Sequence, residues 1–89
     1  MQTYRFRITG RVQGVSYRAW TKEMAQTLGI AGHVRNLSDG SVEAVASLDQ
    51  GLLDTFIAHL RQGPPAASVE SVTYDPVTDT GAEGFHILR

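Results

Sequence analysis

Apolar side chains recur along this chain with two periods, and the order of those periods limits the possible folds more than any single motif. Tyr4, Phe6 and Ile8 alternate with Arg5, Arg7 and Thr9, as in a half-buried strand. Tyr17, Trp20, Met24 and Leu28 then recur at spacings of three and four, with Thr21 and Ala25 beside them. That is one helix face, and Gly29 stands where a helix stop belongs. Residues 30–36 read as a second strand and 41–47 as a third, with Asp39-Gly40 marking a hairpin turn between them. Asp49 and Gln50 interrupt the alternation, after which Leu53, Phe56, Ile57 and Leu60 form a second helical stripe. Gly63-Pro64-Pro65 stops it, because proline cannot continue a helix. Residues 68–76 read as a fourth strand ended at Asp75-Pro76, a polar connection covers 77–84, and 85–89 form a short last strand.

The order is β-α-β-β-α-β with a closing strand. Two helices with one apolar stripe each can both be buried by one face of a sheet. This predicts an α+β, ferredoxin-like two-layer sandwich with a mostly antiparallel sheet. The 89 residues make one domain, 1–89.

Composition removes several functions. Eight basic and nine acidic residues give a net charge of −1, which argues against a nucleic-acid binder but not against one local anion site. The absence of cysteine excludes disulfides, thiolate metal sites and cysteine nucleophiles. His33, His59 and His86 have no ligand-like spacing, so no metal and no cofactor is expected. No apolar run reaches the roughly 20 residues of a membrane span, and the opening residues carry no signal-peptide pattern. A soluble cytoplasmic monomer is the expectation.

The segment "GRVQGVSYR", residues 10–18, joins the first strand to the first helix. In the predicted topology the first and second strands run parallel on either side of the third, about 10 Å apart. Their carboxyl ends share one edge of the sheet, so Arg18 and Asn36 reach toward the same gap. Helix-opening N–H groups lack intrahelical partners, and glycines let such groups turn toward a common point. Arg18 adds a planar cationic fork, so phosphate or sulfate is the natural guest. On these residues alone, a tight glycine turn with a solvated Arg18 is the weightier alternative. The segment lacks the Gly-Lys-Ser/Thr ending of a nucleotide P-loop.

"GRVQGVSYR", followed by "VRNLSDGSVE" and later by "FIAHLRQGPPAASVESV", resembles the acylphosphatase family, and the resemblance runs from about Tyr4 to Leu88. It implies hydrolysis of acyl phosphates, small carboxyl-phosphate anhydrides, without a metal. It implies that the backbone of Gln13, Gly14, Val15, Ser16, Tyr17 and Arg18 cradles the phosphate. Arg18 matches the family's essential arginine, and Asn36 its essential asparagine, which would orient the attacking water. His33 stands where many relatives carry a large aromatic residue, and strand parity points it away from Asn36.

Other residues have plainer readings. No histidine near Ser16 in sequence would activate it as a nucleophile. Trp20 and Met24 read as packing, and Asp39 and Gly40 as the turn that keeps Asn36 in register. Arg5 and Arg7 are open between the free face of the sheet and the loop. The rival function, stacking single-stranded RNA on exposed strand aromatics, finds no aromatic in "SVEAVAS".

Overall fold

A computed structural model of the chain describes residues 1–79, 81 and 83–89. The elements follow the predicted order: β1 (Gln2–Arg11), α1 (Tyr17–Thr27), β2 (Ala31–Asn36), β3 (Val42–Leu48), α2 (Gln50–Gln62), β4 (Ser68–Val77) and β5 (Phe85–Ile87). They build one five-stranded sheet of order β4-β1-β3-β2-β5 with both helices against it. β3 runs antiparallel to β1 and β2, which places the carboxyl ends of those two strands at one edge.

Alternation sorts the sheet's two faces. Tyr4, Phe6, Ile8, Val34, Val42, Ala44, Ala46 and Leu48 point toward the helices and are buried. Phe56, Ile57 and Leu60 of α2 close over them, and Phe6 meets Phe56 edge-on at 5.0 Å between ring centroids. On α1 the fully buried residues are Tyr17, Thr21 and Ala25; Trp20, Met24 and Leu28 lie half-buried at the margin. The α1 face is therefore centred one position beyond the predicted stripe.

Three boundaries or pairings depart from expectation. β1 does not end before Gly10 but runs to Arg11, with its register against β4 shifting between Thr9 and Gly10. Gly10 belongs to this bulge and not to the loop. A Cβ there would stand 2.2 Å from the Ser68 carbonyl oxygen, and its φ of +117° suits only glycine. β4 continues through Pro76 to Val77; as an edge strand it tolerates a residue without an N–H. β5 pairs in parallel with β2 over only three residues. Of the polar connection predicted over 77–84, Thr80 and Ala82 lie outside the described residues.

Candidate active site

The loop leaving β1 turns into α1 through two left-handed residues. Gly14 has φ +74° with open space around it, and Ser16 has φ 66° and ψ 23°. Ser16 is the N-cap of α1, yet its side chain makes no capping hydrogen bond. An N-cap serine in the usual extended conformation would satisfy one of the helix-opening N–H groups. Here they stay open. Among the described residues, the N–H groups of Gln13, Gly14, Val15 and Ser16 also donate to no loop or turn acceptor. A run of free donors beside a helix N-terminus favours negative charge nearby.

Several side chains hold the loop in place. Val12 and Val15 are buried in the core. The Gln13 side-chain amide donates to the carbonyls of Leu37 at 2.8 Å and Ser41 at 2.9 Å, tying the loop to the β2–β3 turn. That turn is set by Asp39, whose carboxylate accepts from the backbone N–H and the hydroxyl of Ser41 and pairs with Arg7. The Ser41 hydroxyl, then its N–H, then Arg7 hold the Asp39 carboxyl below its ordinary value. Tyr17 donates its buried hydroxyl to the Leu60 carbonyl at 2.6 Å, pinning the start of α1 to α2. Burial pushes that hydroxyl's pKa well up.

The loop, the start of α1, the end of β2 and the tail after β5 enclose a pocket of about 210 Å³. It is lined by Gly14, Ser16, Tyr17, Arg18 and Asn36 of the predicted set, and by Val12, Ala19, Ile87 and Arg89. Arg18 and Asn36, apart in sequence, thus share one wall. Gln13 and Val15 of that set do not line it. Among the described residues, the ion pairs are Arg7–Asp39 and Arg35–Glu43, so Arg18 carries no carboxylate partner. Asn36 is half-buried, and its Oδ1 is buried without a hydrogen-bond partner. Such an atom costs about 1–3 kcal/mol of stability unless something supplies a proton.

The pocket wall bears two arginines and no histidine, aspartate, glutamate or lysine side chain. Ser16 therefore has no base beside it. Among the described residues no cluster of three or more His, Asp or Glu groups is arranged to hold a metal. Arg5 and Arg7 are exposed on the free face of the sheet and stay out of the pocket. His33 lies on that same face, opposite in parity to Asn36.

Beside Val12 and Ala19, the lining residues that sequence reasoning missed are Ile87 and Arg89. Their only signal was the closing strand, whose partner was not foreseen. A second concavity of about 320 Å³, between the helices, is lined by Trp20, Glu23, Met24, Thr27, Leu28 and His59. It lacks free backbone donors and arginine, and so offers an anion nothing comparable. The free sheet face carries no aromatic platform: Tyr74, the exposed strand aromatic, stacks against Tyr4 and Phe6 on the helix side.

The family model described as Acylphosphatase matches residues 4–87. A protein named acylphosphatase from Xanthomonas oryzae pv. oryzae is 52% identical over 85 residues, covering 96% of this chain and 97% of its own. One of that name from Thermus thermophilus is 45% identical over 80 residues, covering 90% and 91%. The crystal structure of acylphosphatase from Bacillus subtilis superposes over 100% of both chains with a TM-score of 0.95 at 31% identity.

Proposed function

This chain belongs to the acylphosphatase family, whose activity is hydrolysis of acyl phosphates, and we propose that the reaction runs in the pocket between the β1–α1 loop and Asn36. The observation that carries this reading is the meeting of Arg18, Asn36 and the uncapped start of α1 around one acid-free cavity. The N–H groups from Gln13 to Arg18 hold the non-bridging phosphoryl oxygens, and Arg18 neutralises the charge that grows on them.

The Asn36 amide orients a water molecule on the far side of phosphorus from the acyl oxygen. Water oxygen bonds to phosphorus, the bond from phosphorus to the acyl oxygen breaks, and a carboxylate leaves with the electron pair. The water's protons pass to the phosphate product and to solvent. A carboxylate is stable as an anion, so no general acid is required, in keeping with a wall that has none. The family hydrolyses acid anhydrides without a metal. Arg89 adds a second positive charge at the rim.

The protein works as a cytoplasmic monomer on a small-molecule acyl phosphate. In support, no described helix is long and apolar enough to cross a membrane, and the large exposed apolar residues, Met1, Tyr74 and Leu88, are few. The test is phosphate release from a simple acyl phosphate, with chelator present, for the parent protein, Arg18→Ala and Asn36→Ala. Turnover that collapses in both folded variants supports the assignment. Full turnover in either one overturns that residue's role.

A further inference from the structure

Two histidines that lie far apart in sequence are neighbours on the free face of the sheet. The parallel ladder between β2 and β5 sets His33 directly beside His86. Gly32, Val34 and Phe85 on either side are buried toward the helices, so both imidazoles rise from the opposite face. Adjacent strands lie about 4.8 Å apart, which starts the two side chains about 5 Å from each other. Rings rooted that close can turn one nitrogen each onto a common ion at metal–nitrogen distances of about 2.1 Å.

The His86 ring is also prepared for this. Its Nε2 lies 2.6 Å from the Glu83 carbonyl oxygen. A carbonyl can only accept, so Nε2 carries the hydrogen and Nδ1 keeps the lone pair. A ring N–H held by a backbone carbonyl is the usual support of a metal-ligating histidine. His33 is half-buried, and burial is the largest of the influences that lower its pKa from the ordinary imidazole value. Glu43, Arg35 and His86 are the charged or titratable groups acting on it.

We propose that His33 and His86 form a two-imidazole site for one borderline divalent transition-metal ion, with Zn²⁺, Ni²⁺ and Cu²⁺ as the candidates and water completing the shell. The ion is exchangeable, because no third protein ligand stands beside the pair among the described residues. Its strength follows the ordinary divalent order, tightest for copper. The site faces away from Asn36 and takes no part in hydrolysis. It does bridge β2 to the short β5, the strand that carries Ile87 and leads to Arg89 in the pocket wall. A bound ion thus clasps the sheet edge that closes the pocket.

The experiment uses untagged, chelator-stripped protein titrated with zinc or nickel chloride, read by NMR of the imidazole rings and by thermal melting. The His33 and His86 rings should shift together and saturate at one ion per chain, with His59 unmoved. Zinc should raise the parent's Tm. His33→Asn and His86→Asn, each folded by circular dichroism, should weaken binding by at least about tenfold and abolish the rise. Parent-like affinity in either variant overturns the paired site, as does a His59 response at the same zinc concentration.

Discussion

The two helices of this fold begin in opposite ways. α2 follows β3 at the far edge of the sheet, and its N-cap Asp49 has ordinary extended angles of −72° and 150°. An acidic side chain there suits the positive end of the helix dipole. The N–H of Leu52 finds the Asp49 carbonyl at 2.9 Å, and the Gln50 side chain donates to the Tyr4 hydroxyl. α1 follows β1 at the site edge and breaks two of these local preferences, though its Trp20 N–H likewise finds the N-cap carbonyl, at 3.0 Å. Its N-cap is a non-glycine, non-acidic residue in the left-handed region and its first turn carries Arg18, while neither helix has a side-chain cap bond or an acid in its first turn. Folding alone favours the first kind of start. A dianion among the α1 donors would account for the second, since it supplies the negative charge and the acceptors that this helix lacks.

The sharpest way to break the contrast is to remove the cation. Arg18→Ala should lower kcat/KM by on the order of a hundredfold or more, about 3 kcal/mol of transition-state stabilisation. Its Tm should not fall, because a cation at a helix N-terminus does not stabilise that helix. Steady-state kinetics and melting on one preparation check both halves. Arg18→Lys should recover only part of the loss, since an ammonium lacks the planar fork.

Next in size, Asn36→Ala should cost roughly 10- to 100-fold in kcat by leaving the water unaligned. Stability should hold or rise, because the variant deletes a buried acceptor that has no partner. Denaturant melts and single-turnover kinetics read the two effects separately.

Ser16→Gly tests the strained cap. It should raise stability by about 0.5–1 kcal/mol, the left-handed cost relieved less the extra chain entropy of glycine. At the other helix, Asp49→Ala should cost about 0.5 kcal/mol and leave kcat/KM unchanged. The smallest effect concerns the turn that the loop leans on. The Asp39 carboxyl titrates below its ordinary value in the folded protein. Its contribution is therefore present above the unfolded carboxyl pKa and lost as pH falls through the folded one. Between neutral pH and about pH 4 the Tm difference between the parent and Asp39→Asn should stay constant, and below that it should shrink.

Most of this architecture is legible in the sequence because burial on one face leaves a period. Tyr4-Phe6-Ile8 and Phe56-Ile57-Leu60 announce a strand and a helix before any partner is known. Topology then brings Arg18 and Asn36 to one edge without further information. What stays hidden depends on the partner. Gly10 looks like part of a turn until β4 is seen 2.2 Å from where its Cβ would stand. Gln13 is readable as a backbone donor, but the reach of its side chain to Leu37 and Ser41 depends on where the hairpin lies. β5 is only three residues long, too short for a period to declare its neighbour. Its parallel pairing, which brings Ile87 and Arg89 to the pocket and His86 to His33, is therefore a property of the assembled sheet.

The most direct test of the central claim is a titration of the protein with inorganic phosphate, followed by backbone amide NMR. Saturable shifts should gather at Gly14 to Ala19 and at the Asn36 side-chain amide, with the amides opening α2 unchanged. Shifts centred on α2, or none at the start of α1 at concentrations that inhibit turnover, would contradict it.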